Sequence, residues 1–513
     1  STQSRSSAAS DVYKRQPNMT EWSREQRYRR IEDVNKDELE ALKHRIEQSS
    51  YRQHFHIQPE TGLLNDPNGL MFYNGTYYVS HQWFPLGAVH GLKYWFNYTS
   101  KDLVTFEPNG PILKPDTIYD SHGVYSGSAF EFEGNLYYMY TGNHRDEEWK
   151  RYASQMIAKV KQDGSIEKLN KPVIAHQPEG YTSHFRDPKV FKHHEEYYAI
   201  LGVQTQQELG RLLLYKMIHR QIDQWEYIGE ITTELEDFGY MWECPDYFSL
   251  NGQDVIIFSP QGIDAKDEKY RNIYQSGYLI GHLNFDTLEF KHDTFMELDN
   301  GFDFYAPQTF IDEYGKRILI GWMGLPDTQY PTDEEGWAHC LTIPRELTIE
   351  EGRLRQRPLK ALETLRQNKE TALGYANKYN TTLHPYEGTQ YELIIDILEN
   401  EATEIYFELR ASKLNSTLIS YNTREQKITL DRSESGALPS NVEGVTRSTY
   451  LDSPLKQLHI FVDTSSIEIF CNDGERVLTS RIFPDENATA IRTSTETGQV
   501  YLKFTKYDLG RDK

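Results

Sequence analysis

The chain has 513 residues, and its 77 acidic against 55 basic side chains give a net charge of −22. Nucleic acid and anionic membrane both need a basic footprint, which no Lys/Arg cluster here supplies. No apolar run approaches the roughly 20 residues of a membrane-spanning helix, so the partner expected is a small molecule.

Residues 1–18 are rich in Ser, Arg and Gln and carry no helical or strand period. They are expected to form a disordered or non-native tail ahead of Met19. Residues 19–50 form an N-terminal helical segment. Asn35 followed by Glu38 makes a capping-box-like start, and Leu39, Leu42 and Ile46 recur at helical spacing. From residue 51 the pattern changes to short strands broken by turn dipeptides. Residues 70–73 and 76–81 flank Asn74-Gly75, and residues 129–132 and 135–140 flank Glu133-Gly134. The cadence returns at 189–192 with 197–202, at 247–250 with 255–259, and at 309–311 with 317–322. Five such units at intervals of roughly 60 residues predict a five-bladed β-propeller over 51–350, since radial repetition protects strand edges. Leu359, Leu362 and Leu365 suggest a linker helix within 351–372. Alternating strands at 391–397, 405–409, 458–462, 467–471 and 500–504 then predict a β-sandwich over 373–513. The fold class is all-β, which the 36 Tyr against 23 Phe also favour.

Cys244, Cys340 and Cys471 are the only cysteines. An odd, scattered set is not a disulfide framework, and its spacing suits no metal. With no apolar signal-peptide core at the start of the sequence, a cytoplasmic location is expected. His193-His194-Glu195-Glu196 is no metal site, because adjacent strand residues point to opposite faces. No cofactor motif is present.

Three carboxylates sit where inner propeller loops would face the axis. Asp66, within Asn65-Asp66-Pro67-Asn68-Gly69, reads either as a turn Asx cap or as an ionised carboxylate held by amides. Asp187, within Arg186-Asp187-Pro188, reads either as half of a surface ion pair or as a ligand for sugar hydroxyls. Glu243 lies between Trp242 and Cys244, and a carboxylate in apolar surroundings is either paired or used. Apolar neighbours there would keep it protonated. Together the three meet the needs of glycoside hydrolysis, with one carboxyl protonated and one able to attack. Tyr125-Ser126-Gly127-Ser128 and Phe304-Tyr305-Ala306-Pro307-Gln308 read as aromatic and hydroxyl lining.

These motifs, with Glu243-Cys244-Pro245, the stretch from Leu341 through Pro344 to Leu347, and Ser466 to Phe470 before Asn472-Asp473-Gly474, resemble family 32 of the glycoside hydrolases from about Met19 onward. Any one is weak, whereas the ordered set is specific. The resemblance implies a five-bladed propeller followed by a β-sandwich, and retaining cleavage of the β-fructofuranosidic bond of sucrose 6-phosphate or sucrose. It makes Asp66 the nucleophile, Asp187 the transition-state stabiliser and Glu243 the general acid/base. It also lines the fructosyl pocket with Asn65, Gln82, Trp95, Tyr125, Ser126, Arg186 and Trp322. Leu64 and Tyr125 depart from the commoner family residues but keep an apolar wall. A phosphorylated substrate would need a local cationic patch at the pocket mouth. His90 and Lys93 are the candidates, against the alternative that Lys93 is a solvated loop charge. Other readings are a fructan-type exo-β-fructosidase, an inverting arabinose-type furanosidase and a non-catalytic carbohydrate-binding propeller. A monomer or a homodimer is expected.

Overall fold

The computed structural model describes residues 21–383 and 385–510; the expectation for residues 1–18 lies outside them. Five units, each built on four antiparallel strands and three of them with a short fifth strand, follow one another as propeller blades I to V. Their first strands are Gly62–Tyr73, Val124–Phe132, Tyr181–His193, Met241–Leu250 and Tyr305–Ile311, each hydrogen-bonded to the next strand in sequence. These five strands touch one another in a closed ring around the axis. Every hairpin forecast from turn chemistry is present. At the first, Asn74 and Gly75 take φ of 48° and 77°, as a tight hairpin turn requires. The ring closes where Trp337–Ala338 pairs in parallel with Gly62 and Leu63 of blade I.

All five inner strands share one irregularity. Between Leu64 and Pro67, Val124 and Gly127, Arg186 and Lys189, Glu243 and Asp246, and Tyr305 and Gln308, the inner strand carries one more residue than its neighbour. A β-bulge of this kind bends the strand and re-aims a side chain that strict alternation would bury in the sheet. Asp187, Cys244 and Ala306, each just before a proline, take positive φ of 66°, 48° and 51° there, a costly conformation for residues with a side chain.

The N-terminal segment is helical in two pieces, α1 (Arg24–Arg27) and α2 (Lys36–Glu47). Asn35 caps α2 through Asp37 N at 2.9 Å. Glu38 does not complete a capping box but pairs with Arg29 at 3.0 Å. The reciprocal box forms instead at α1, between Ser23 and Gln26.

The predicted 351–372 linker helix is corrected to a single 3₁₀ segment, Lys360–Leu365. Blade V runs on to Pro358, and the sandwich begins at Arg366. The i, i+3 recurrence of Leu359, Leu362 and Leu365 fits the threefold repeat of a 3₁₀ turn as well as it fits a helix. The sandwich packs a six-stranded sheet on a five-stranded one. Leu393, Ile395, Phe407, Ile419, Ile460 and Ile469 are among the side chains buried between them.

Sandwich and propeller meet over buried charges. His56 joins Asp463 at 2.7 Å through Nδ1 and Glu468 at 2.5 Å through Nε2. Arg345 donates to Glu468 at 2.8 Å, and Arg432 to Asp303 at 2.8 Å. Burial alone would lower the His56 imidazolium, but the charges of Glu468 and Asp463 and the hydrogen bonds to them push it up to about 10. Burial likewise opposes the charge on Asp463 and Glu468, yet His56 holds both below the ordinary carboxylate range.

Candidate active site

The inner bulges open into a funnel of about 1010 Å³ at one end of the propeller. Its wall holds Asn65, Asp66, Gln82, His90, Lys93, Tyr125, Ser126, Arg186, Asp187, Glu243 and Trp322, eleven of the twelve positions expected from sequence. Trp95 is the exception. It is fully buried behind the wall, against Tyr138 at a ring separation of 5.0 Å, and donates to Tyr125 O at 2.9 Å. Its period-2 position in a central strand of blade I turns it into the seam with blade II.

Asp66 accepts from Ser126 Oγ at 2.6 Å and Cys244 Sγ at 3.3 Å on Oδ2, and from Asn65 Nδ2 at 3.3 Å on Oδ1. Asp187 accepts from Cys244 N at 2.9 Å, and the same thiol lies 3.5 Å away. One cysteine, at a positive-φ bulge, therefore ties two carboxylates from other blades together. Ligand atoms of Asp66, Asp187 and Cys244 lie within 4.8 Å of one another. Those thiol hydrogen bonds account for the cluster, since burial and the adjacent carboxylates raise the Cys244 thiol far above its usual range and keep it protonated. Glu243 accepts from Arg186 Nε and Nη2 at 3.0 and 2.9 Å on Oε2. Its Oε1 accepts from Gln261 at 2.8 Å and the Tyr305 hydroxyl at 2.6 Å. The apolar flank expected around Glu243 is thus not what its carboxyl meets. Trp242 points away, its indole donating to Phe238 O and packing on Phe258, because neighbours in a strand face opposite ways.

Three carboxyls in one buried funnel oppose one another. Burial and then the charge of Glu243 push Asp187 up to about 7, against the pull of Arg186. Asp66 is raised for the same two reasons, with Ser126, Cys244 and Lys93 offsetting part of the rise. The set therefore retains a proton near neutrality.

Lys93 is not a solvated loop charge but a buried residue of the funnel wall. It is 6% exposed and donates to Asn65 Oδ1 at 2.7 Å, with His90 Nδ1 at 3.0 Å. Burial lowers it to about 7, with Asp66 working the other way. It supports the amide that holds Asp66. His90 faces Pro326 O at 3.0 Å, and burial lowers its imidazole well below the ordinary value.

Several wall residues escaped the sequence reading. Cys244, just behind the wall, lay inside a quoted motif without a polar role, and Tyr305 reads as lining without its link to Glu243; X-Pro at four of the five bulges was the available signal. Gln261, opposite Met241 across the blade IV hairpin, needed only the hairpin register. Arg24 and Arg27 from α1, and Arg145, Trp149 and Arg151 from blade II, reach the mouth through contacts that no local pattern reveals.

Comparison with known proteins gives the same picture. A model of the glycosyl hydrolases family 32 N-terminal domain matches residues 56–358, and one of the glycosyl hydrolases family 32 C terminal matches 361–508. A sucrose-6-phosphate hydrolase of Staphylococcus xylosus is 66% identical over 494 residues, covering 96% of this chain and 100% of that one. That of Bacillus subtilis is 42% identical over 481 residues, covering 91% and 95%. Among solved structures, the sucrose-6-phosphate hydrolase of Lactobacillus gasseri superposes with a TM-score of 0.87 at 38% identity, covering 95% of this chain and 99% of that one. A Bombyx mori family 32 β-fructofuranosidase mutant in complex with sucrose superposes at 0.79 with 30% identity, covering 93% and 99%.

Proposed function

The chain belongs to family 32 of the glycosyl hydrolases and is a β-fructofuranosidase, and we propose that its funnel hydrolyses sucrose 6-phosphate and sucrose by double displacement. Asp66 attacks the anomeric C2 of the fructosyl unit while Glu243 protonates the glycosidic oxygen. Glu243 then takes a proton from the incoming water, which frees fructose from Asp66 with net retention. Asp187 holds the ring hydroxyls and grips harder as the ring flattens towards an oxocarbenium ion.

The observation that carries this reading is the way the two outer roles are held apart. Oδ2 of Asp66 is occupied by Ser126 and Cys244, while Oδ1 meets only the Asn65 amide at 3.3 Å among the described residues and keeps a lone pair for attack. Glu243 is anchored through Oε2 by the Arg186 fork. On Oε1 its partner Tyr305 has a second acceptor, Ser259 O at 3.4 Å. The Tyr305 hydroxyl can therefore turn away when Oε1 carries the proton.

The test is to trap the intermediate. With a fructosyl donor whose leaving group needs no acid, Glu243→Ala should accumulate a fructosyl ester on the peptide containing Asp66, seen by mass spectrometry. Wild type should release β-configured fructose first. An inverted first product, or a label on any other residue, overturns the mechanism.

A further inference from the structure

Arg151 and Arg145 lie side by side on the blade II wall of the funnel, and no carboxylate is within ion-pair distance of either among the described residues. In a chain of net charge −22, two half-buried guanidiniums without a counterion need an account. Arg151 Nη1 faces His184 Nδ1 at 3.2 Å, and Arg186 Nη1 faces the same nitrogen at 2.9 Å. Arg186 in turn grips Glu243. A continuous line of contacts therefore leads from the proton donor through Arg186 and His184 to Arg151. The leaving group begins at the oxygen protonated by Glu243, the residue at which that line of contacts starts.

The Nε atoms of both Arg145 and Arg151 are buried without an acceptor among the described residues, a cost that an anionic ligand would remove. Burial, and then the neighbouring charges of Arg186 and Arg145, hold Arg151 below the ordinary arginine range. The pair is also braced. Arg145 Nη1 donates to Trp149 O at 3.0 Å, and Arg24 of α1 stacks on the Trp149 ring at 3.9 Å. Helix α1 thus presses the cationic hairpin of blade II against the mouth. Planar guanidinium forks match phosphate oxygens in pairs, so the ligand that fits is a dianionic phosphate ester on the leaving-group side.

We propose that Arg151 and Arg145 form the phosphate-reading subsite of this enzyme, taking the 6-phosphate of the glucosyl unit. This rests on the β-fructofuranosidase reading and moves the phosphate contact from His90 and Lys93, which serve Asn65, to blade II. Sucrose itself has no group to place there.

The experiment measures kcat and KM for sucrose 6-phosphate and for sucrose in wild type, Arg151→Gln, Arg145→Gln and Arg151→Lys, with melting temperatures as the folding control. In Arg151→Gln the ratio of kcat/KM for the phosphorylated over the plain substrate should fall about 10- to 100-fold, through KM. Arg145→Gln should act in the same direction. Arg151→Lys, which keeps charge without the fork, should fall between. Inhibition by glucose 6-phosphate should weaken in parallel. An unchanged ratio in both Gln variants, or equal losses on both substrates, overturns the subsite and leaves the hydrolase reading intact. A wild type that releases fructose from neither substrate overturns the hydrolase reading itself.

Discussion

The propeller–sandwich seam buries its carboxylates completely and the funnel largely does, yet they treat them in opposite ways. At the seam, Asp463 and Glu468 share the protonated His56, and Glu468 also takes Arg345. Charge is matched there, and both acids stay below their ordinary range. In the funnel, the Arg186 fork is taken by Glu243 and Asp66 faces a partly neutralised Lys93, so burial and the charge of Glu243 push Asp187 up to about 7. Burial is common to both regions, and the number of facing cations decides the sign. One arrangement holds two domains together. The other stores unfavourable charge where a proton has to move.

The contrast breaks most sharply through activity. Asp66→Ala and Glu243→Ala should each lower fructose release by about 1000-fold or more, while the melting temperature stays level or rises. A comparable loss of stability would mean that the funnel carboxylates brace the fold as the seam does. The converse variant, His56→Ala, leaves Asp463 and Glu468 buried and facing each other. It should cost about 3–5 kcal/mol of stability in a chemical denaturation curve, while kcat of the folded enzyme changes little. A variant as stable as wild type would show that water replaces the imidazolium.

Asp187→Asn separates the regions by sign. A carboxyl whose folded value lies above its unfolded one contributes stability at low pH and loses it as pH rises towards about 7. The variant should therefore melt a few degrees above wild type at pH 8, and the gain should shrink through pH 5 and vanish below about pH 4. The seam behaves otherwise. The His56 contribution is complete below about pH 6.5 and lost as pH climbs through about 10. That of Asp463 and Glu468 is complete above about pH 4.5 and lost in acid. In His56→Ala the stability difference from wild type should therefore shrink at alkaline pH, read from melting temperatures across a pH series. The smallest expected effect is kinetic: kcat/KM in wild type should decline on the alkaline side with an apparent midpoint near 7, as the funnel loses its shared proton. A flat profile to pH 9 would place that proton on a group far more basic than Asp187.

Local patterns carried much of the molecule. Turn dipeptides such as Asn74-Gly75 marked the inner hairpins of blades I, II and IV, because a positive φ in two successive residues is a requirement readable from residue type. Alternation separated the sandwich from the propeller, and the motifs around Asp66, Asp187 and Glu243 located the three carboxyls. The errors share a cause. Leu359, Leu362 and Leu365 fit a 3₁₀ turn and a helix equally, and the neighbours of Glu243 in sequence are not its neighbours in space.

What only the tertiary structure decided is the company each group keeps. Bulges on three inner strands turn Asp66, Asp187, Glu243 and Cys244 towards one axis, and no period in the chain encodes which blades face each other there. Lys93 reads as a loop charge until the fold buries it beside Asn65, and Arg151 becomes a phosphate candidate only because blade II carries it to the leaving-group side. Residue chemistry and local geometry are properties of short segments. Burial, charge balance and the sign of each pKa change come from residues tens to hundreds of positions apart, and long-range packing alone brings those together.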